Sequence, residues 1–172
     1  MTNNKKQIML NSIGVAKVNE QRMEYQIIIK EKYRKGLKEL NQYSHVIVLF
    51  WADKNDNQEA RNNLMAEELP FFYGKETPPM GVFATRSEFR PNPVLVSPTK
   101  IIDMEIEKGI IKVSYLDALN NSPIVDLKPY IPMSDRLMSA EYPPYLQHWP
   151  NSNEKAMEWW AEQMKNAPGE PK

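Results

Sequence analysis

The sequence predicts a mainly β protein, a compact β-barrel of non-Rossmann type with short peripheral helices and a C-terminal helix. Short runs rich in β-branched and aromatic residues recur along the chain, whereas few segments have the length and periodicity of a helix. The six glycines are too far apart to form a dinucleotide-binding or phosphate-binding glycine loop, which argues against nucleotide folds of those kinds. Many short strands with few helices indicate a closed or nearly closed sheet with helices around it.

The strands are predicted from the apolar runs. HVIVLFW, residues 45–51, is continuously apolar but too short for a typical helix, and it indicates a buried central strand. VLVSPTKIID and IIKVSYLD bracket Lys108 and Gly109 and therefore predict a hairpin. Further strands are predicted within residues 8–18, at residues 25–30 and in SPIVDLKPYIP, residues 122–132.

Helices are predicted at three places between or after these strands. Residues 31–40 form a short basic helix, and residues 58–68 form a second one after a polar loop. Residues 152–165 form the C-terminal helix, which Asn153 caps. One face of this helix carries the apolar side chains Met157, Trp160, Ala161 and Met164.

The composition is that of an ordinary globular protein. The 172 residues are 41% hydrophobic and 26% charged, which suits a single domain over residues 1–172, with a core at about 8–137 and a Pro- and Trp-rich extension at 138–172. No apolar run reaches the roughly 20 residues of a membrane span, and the N-terminal apolar run is too short for a secretion signal. There are no cysteines, so we expect no disulfide and a cytoplasmic location. We also expect no metal, because no residues have ligand spacing.

The segment GVFATRSEFRPNP, residues 81–93, is the strongest candidate for a ligand-binding loop. It begins as an apolar β-type run and then places Arg86 and Arg90, whose guanidinium groups match a carboxylate or a phosphate, close together. Asn92 lies between two prolines, which favours a stiff extended backbone with little freedom to lose on binding. The alternative is a rigid surface loop whose arginines form salt bridges.

A second polar cluster lies in YLDALNNSPIVDLKPYIP, residues 115–132. Asp117 falls at the end of a predicted strand, and Asp126 and Lys128 lie on one face of the next strand if that segment is extended. Polar residues at two strand ends could converge on one pocket. The alternative is an Asp–Lys pair on the surface that contributes little.

Zero net charge argues against indiscriminate nucleic-acid binding but allows a local basic patch. Residues 30–38, KEKYRKGLK, supply one. The alternative is a solvated face of a helix. The basic residues of this patch are Lys30, Lys32, Arg34, Lys35 and Lys38, against Glu31 alone.

Three segments resemble the TrmO/TsaA-like family, in the same order and at similar spacing over roughly residues 10–137. They are LKELNQYSHVIVLFW, GVFATRSEFRPNP and YLDALNNSPIVDLKPYIP. The resemblance implies a β-barrel methyltransferase that uses S-adenosyl-L-methionine and works as a homodimer, with the cofactor near the subunit interface. It also implies that the substrate is tRNA, in which the family N6-methylates threonylcarbamoyladenosine next to the anticodon.

The resemblance further assigns roles to residues. It places Tyr130 on the substrate side. The N6 amine of adenine is a poor nucleophile, so we expect a carboxylate, Asp117 or Asp126, to orient it. If tRNA is the substrate, we expect the basic segment, with Lys32, Arg34 and Lys35, to contact its phosphates. The cofactor pocket that the resemblance implies consists of Phe83, Ala84, Thr85, Arg86, Ser87, Arg90, Pro91, Asn92, Asp117, Asp126 and Lys128.

The chain departs from the family pattern at two positions. Phe89 stands where the family usually has histidine, and Leu95 where it usually has glycine. A leucine side chain there can fill space meant for a ligand. Two alternatives to tRNA methylation therefore stay open: methylation of another nucleoside or a small molecule, and a non-catalytic module that binds S-adenosyl-L-methionine.

Overall fold

A computed structural model describes residues 8–165, which divide into two compact units. The first unit comprises residues 8–63 and Arg86–Arg136, and the second comprises Leu64–Thr85 and residues 137–165. Residues 1–7 and 166–172 of the predicted domain lie outside the described range. One domain over residues 1–172 stays a prediction.

The first unit is a closed antiparallel barrel built from six strands of the described chain, which confirms the predicted fold class. The strands are β1 (Gly14–Asn19), β2 (Glu24–Ile29), β3 (His45–Trp51), β6 (Val94–Glu105), β7 (Ile110–Val113) and β8 (Pro123–Pro129). Around the barrel they follow the order β1-β2-β7-β6-β3-β8. Each strand pairs with a neighbour on both sides, so the barrel leaves none of these six strands as an open sheet edge.

The core of the barrel comes from side chains that alternate along the strands. On β3, Val46, Val48 and Phe50 are buried, while the residues between them are only partly buried, as expected for a strand with one inward face. The continuous apolar run therefore belongs to a strand with two different faces. The other buried core residues are Ala16, Ile27, Ile29, Leu37, Leu40, Ile111, Val113, Leu116 and Ile124.

The predicted hairpin is confirmed: β6 and β7 pair antiparallel across a short turn at Ile106–Lys108. Gly109 ends this turn with a left-handed backbone, at φ of 71°. A Cβ atom at this position would lie 2.5 Å from the carbonyl oxygen of Ile29. The turn therefore requires glycine for both its conformation and its close approach to β2.

Replacing Gly109 with alanine is expected to destabilise the protein by about 1–3 kcal/mol, because the substitution adds backbone strain and a steric clash. Gly36→Ala is the matched control, since a Cβ there would meet no atom within 4 Å. Chemical denaturation of both variants measures the difference. Equal stabilities would show that the hairpin adjusts without cost.

Helices are short in the first unit. The basic segment forms a 3₁₀ helix at Glu31–Leu37, anchored by the buried Leu37, where residues 31–40 were predicted to be helical. α1 covers only Gln58–Asn62, so the predicted helix at 58–68 was too long. The Asn57 side chain accepts a hydrogen bond from the backbone N–H of Ala60 and begins α1. α2 is a single turn at Pro132–Asp135.

The second unit contains a two-stranded sheet and the C-terminal helix. β4 (Met65–Ala66) pairs with β5 (Met80–Gly81), and α3 covers Asn153–Lys165. Val82–Ala84 is a 3₁₀ turn, so the prediction of a β-type run there was wrong. No helix within residues 8–165 has the length and apolar character needed to cross a membrane.

The predicted C-terminal helix is confirmed, but its start and its inward face differ from the prediction. Ser152, and not Asn153, precedes the helix and accepts a hydrogen bond from the backbone N–H of Lys155. Met157 and Met164, on the predicted apolar face, are 49% and 64% exposed. Trp160, on the same predicted face, does pack against Phe72, and the ring of Phe72 also contacts Phe71, Tyr73, Trp149 and Trp159.

Candidate functional site

A cleft of about 460 Å³ opens at one end of the barrel. The β1–β2 turn, the end of β3, the start of β6 and the connection from β7 to β8 meet there. Its volume lies in the range typical of small-molecule sites. The lining residues are Glu20, Tyr25, Phe50, Ala52, Lys54, Asn55, Arg86, Glu88, Leu95, Tyr115, Leu116, Asp117, Ala118, Leu119 and Ser122.

The loop at residues 86–93 brings Arg86 and Glu88 to this cleft. The carbonyl of Pro93, itself fully buried, accepts a hydrogen bond of 2.9 Å from the N–H of Ala52 just after β3. The amide of Asn55 donates to Glu88 Oε1 at 3.0 Å and fixes the middle of the loop. The chain bends at residues 90–92, so the predicted extended arm was wrong in shape, although the loop does reach a concave site.

The connection between β7 and β8, residues 114–122, carries Asp117 to the same cleft. The hydroxyl groups of two buried residues on β6 accept its backbone N–H groups: Thr99 from Tyr115 at 3.3 Å and Ser97 from Asp117 at 3.4 Å. At its far end the N–H of Asn121 donates to the carbonyl of Ala16 on β1. The connection is therefore held at both ends, and Asp117 has a defined position.

The electrostatics of the cleft centre on Asp117 and Tyr115. The Asp117 carboxyl faces the cleft, but the surrounding walls displace water, and this burial raises its pKa. A hydrogen bond from Tyr115 opposes the rise in pKa, and the negative charge of Glu88 adds to it. The Tyr115 hydroxyl donates this bond to Asp117 Oδ1 at 3.4 Å. Burial, with the charge of Asp117 second, raises the pKa of Tyr115 to about 12. The tyrosine stays protonated at neutral pH.

An aromatic pair forms one wall of the cleft. The rings of Tyr25 on β2 and Tyr115 meet edge to face, with centroids 5.3 Å apart. This arrangement is the favourable one for two aromatic rings. Neither tyrosine was predicted to be a site residue, and the same holds for Glu20, Lys54, Asn55 and Glu88. No local pattern marks them, because closure of the barrel brings their segments together.

Of the predicted cofactor residues, the structure brings Arg86 and Asp117 to one cleft. Ser87, Arg90, Pro91 and Asn92 belong to the same loop but do not line the cleft. Thr85 is buried and donates its hydroxyl to the carbonyl of Val82 within the second unit. Phe83 and Ala84 belong to the same turn of that unit and are exposed.

The second predicted cluster is divided by the structure. Asp126 and Lys128 lie on β8 and form a 2.8 Å ion pair that is largely exposed, outside the cleft lining. Tyr130 follows β8 and lies beside His45, with ring centroids 6.2 Å apart. None of these three residues lines the cleft that contains Asp117, and their predicted roles stay predictions.

The basic segment lies at the opposite end of the barrel from the cleft, where it contacts the β6–β7 turn. β3 spans seven residues between these ends, which is about 20 Å at roughly 3.3 Å per residue. Lys32 and Lys35 are exposed, whereas Arg34 is partly buried and donates to the backbone carbonyls of Ile29 and Glu107. Arg34 therefore has a structural role. Lys32 lies over the ring of Tyr33, 4.7 Å from its centroid, and the predicted contact of this segment with tRNA phosphates stays a prediction.

The two residues that depart from the family pattern, Leu95 and Phe89, differ in their position relative to the cleft. Leu95 on β6 lines the cleft and packs against the core, where it pairs in register with Phe50 of β3. Phe89 is exposed and does not line the cleft. The side chain of Leu95 therefore occupies space in the cleft that the glycine usual in the family would leave open. Within residues 8–165, no group of three His, Asp or Glu side chains is arranged to hold a metal ion.

Comparison with known proteins gives a consistent result. The TrmO_N family, described as the tRNA-methyltransferase O N-terminal domain, matches residues 11–136. An S-adenosyl-L-methionine-binding protein of Archaeoglobus fulgidus is 38% identical over 116 residues, which cover 67% of this chain and 76% of that protein. The Escherichia coli tRNA (adenine(37)-N6)-methyltransferase is 44% identical over 63 residues, 36% of this chain and 27% of that enzyme.

The fold comparison agrees. A crystal structure of TrmO from Pseudomonas aeruginosa has a TM-score of 0.58 to this chain at 20% identity, and the match covers 92% of this chain and 76% of that one. At this identity the likeness concerns the fold alone. Because the family match spans well over half of the residues, the chain belongs to the tRNA-methyltransferase O family.

Proposed function

We propose that this chain is an S-adenosyl-L-methionine-dependent methyltransferase that N6-methylates threonylcarbamoyladenosine next to the anticodon of tRNA, in the cytoplasm. The observation that carries the proposal is the meeting of Arg86 and Asp117 in one cleft of a family member. The names of the relatives, S-adenosyl-L-methionine-binding proteins and tRNA (adenine(37)-N6)-methyltransferases, support the cofactor and the substrate.

The chemistry of the lining residues fits this cofactor. S-adenosyl-L-methionine combines a carboxylate, two positively charged groups and an aromatic base. The cleft offers two cations, Arg86 and Lys54, together with carboxylates and the Tyr25–Tyr115 wall. Arg86 is exposed and suits a carboxylate with its planar donors. When bound, the cofactor supplies an activated methyl group.

The residues of the chain then position the reactants. The N6 amine of adenine is a poor nucleophile because its lone pair is delocalised into the ring. Asp117 accepts a hydrogen bond from its N–H and directs the nitrogen, while the apolar walls at Phe50, Leu95 and Leu116 exclude water. Alignment of reactants is worth up to roughly 7–11 kcal/mol in well-oriented systems and supplies most of the acceleration. Asp126 is the second candidate for this role.

The test has two stages. Calorimetric titration of the full chain with S-adenosyl-L-methionine should show saturable binding. Mass spectrometry of nucleosides should then detect the methylated base in tRNA isolated from cells that lack the modification. Binding without methylation of any RNA would favour a non-catalytic binding module. Methylation of a different acceptor would favour the alternative enzyme, for which Leu95 inside the cleft is the supporting observation.

A homodimer is part of the proposal. Several large apolar side chains of the barrel unit are exposed, among them Leu10, Ile102, Leu119 and Met133. Contact with a second copy would remove such surface from water. Light scattering coupled to gel filtration measures the mass, and a monomer at micromolar concentration would contradict this part of the proposal.

Replacing Lys32 and Lys35 together with alanine is expected to weaken tRNA binding about 3- to 10-fold and to reduce its salt dependence, because two phosphate contacts are lost. The affinity for S-adenosyl-L-methionine should not change, since the segment lies at the other end of the barrel. Arg34 is left in place because it holds two backbone carbonyls. Lys17→Ala with Lys112→Ala is a control of equal charge, and equal losses in both double variants would contradict a specific patch.

A further inference from the structure

One side of the cleft combines carboxylates with aromatic rings. Tyr115 and Tyr25 meet edge to face, and the Tyr115 hydroxyl contacts Asp117 at 3.4 Å. Glu20, at the β1–β2 turn, lines the same cleft. We call Glu20, Tyr25, Tyr115 and Asp117 the acidic–aromatic side.

The remaining charged groups of the cleft are engaged differently. Glu88 accepts a hydrogen bond from the amide of Asn55 at 3.0 Å. Lys54 lies 3.2 Å from a carboxylate oxygen of Asp53. Arg86 has no ion pair with another residue in the range 8–165 and remains to bind an anionic group. Three carboxylates thus face two cations in the lining, and one of those cations is already paired.

The acidic–aromatic side attracts a positively charged ligand more strongly than a neutral ligand of the same shape. The faces of tyrosine rings attract cations, and the carboxylates add Coulomb attraction in a partly desolvated cleft. The raised pKa of Tyr115 is consistent with this, because burial is its largest cause and the charges of Asp117 and, least, Glu20 also contribute.

We infer that the acidic–aromatic side is a subsite for the positively charged sulfur of S-adenosyl-L-methionine and distinguishes this cofactor from its neutral product, S-adenosylhomocysteine. The inference rests on the proposed function and adds the part of the cleft that recognises charge. Apart from the methyl group, the two compounds differ in charge only at sulfur.

Methyl transfer changes the charge at this subsite. The S–CH₃ bond breaks, its electron pair stays on sulfur, and a new N–CH₃ bond forms with the lone pair of the acceptor amine. The positive charge moves to that nitrogen, which then releases a proton to water. The sulfur left in the cleft is neutral and no longer attracts the carboxylates, so the product is released more easily than the substrate.

The test is calorimetric titration of the full chain with three ligands: S-adenosyl-L-methionine, S-adenosylhomocysteine, and an analogue with a protonated amine in place of the sulfonium. The wild type should bind both cations about tenfold more tightly than the neutral product. Asp117→Asn and Glu20→Gln, which keep the side-chain size, should each lower this ratio about threefold. Glu107→Gln removes an exposed carboxylate at the opposite end of the barrel and should leave the ratio unchanged.

Equal affinities of the wild type for the cofactor and the neutral product would overturn the inference, while turnover on tRNA would leave the proposed function standing. An unchanged ratio in both Asp117→Asn and Glu20→Gln would also overturn it. Tyr115→Leu tests the ring, and its unfolding curve shows whether the fold is intact. Absence of binding for all three ligands would count against the proposed function itself.

Discussion

Replacing Arg86 with alanine is expected to weaken S-adenosyl-L-methionine binding about 10- to 100-fold. Arg86 lines the cleft, is exposed, and forms no ion pair within residues 8–165, so its removal deprives a bound carboxylate of its main partner. Hydrogen bonds to charged groups contribute roughly 1.5–3 kcal/mol, and each 1.4 kcal/mol corresponds to a factor of ten. Calorimetric titration measures the loss.

Two further variants make this result specific. Arg86→Lys keeps the charge but loses the planar pair of donors, and its affinity should fall between those of the wild type and the alanine variant. Arg136→Ala removes an exposed arginine outside the cleft lining and should bind as the wild type does. Wild-type affinity in Arg86→Ala would show that the cofactor binds elsewhere.

Replacing Asp117 with asparagine is expected to lower kcat for tRNA methylation about 100-fold, because the variant lacks the negative charge that orients the acceptor amine. In the wild type, the folded environment raises the pKa of Asp117, so the carboxylate is lost at a higher pH than for a free aspartate. Activity should therefore fall as the pH drops through this raised pKa. The asparagine variant should lack this limb of the profile, as steady-state rates between pH 4 and 8 would show.

Asp126→Asn tests which of the two carboxylates predicted from the sequence, Asp117 or Asp126, orients the acceptor amine. Asp126 lies outside the cleft lining and pairs with Lys128. A larger loss in Asp126→Asn than in Asp117→Asn would assign the orienting role to β8. Asp103→Asn removes an exposed aspartate that pairs with Lys112 on the β6–β7 hairpin and serves as the matched control.

The barrel could be predicted because its signal is local. HVIVLFW, the hairpin around Gly109 and the segment at 122–132 each carry β-branched residues between turn residues, and all three form strands. The helix after β3 was predicted less well. Residues 58–68 have helical composition, but the helix ends at Asn62 and Met65 pairs with Gly81. Tertiary pairing outweighed a weak propensity there.

The candidate site was predictable only in part. Arg86 and Asp117 stand in unusual segments, and each lies at the end of an apolar run, which singled them out in the sequence. Tyr25, Tyr115 and Glu20 carry no such signal, since a tyrosine in a strand and a glutamate in a turn are common. Asp126 also lies at the end of an apolar run, yet on β8 its side chain forms an exposed ion pair with Lys128.

The sequence by itself determined the family, the strand-rich fold and the two loops that carry Arg86 and Asp117, because these depend on residues adjacent in the chain. Only the tertiary structure decided which polar residues share a cleft. Closure of the barrel brings the β1–β2 turn, the end of β3 and the β7–β8 connection to one end, and moves the basic segment to the other. The physical reason is that antiparallel strands send successive connections to alternate ends, and the register between distant strands sets which connections meet.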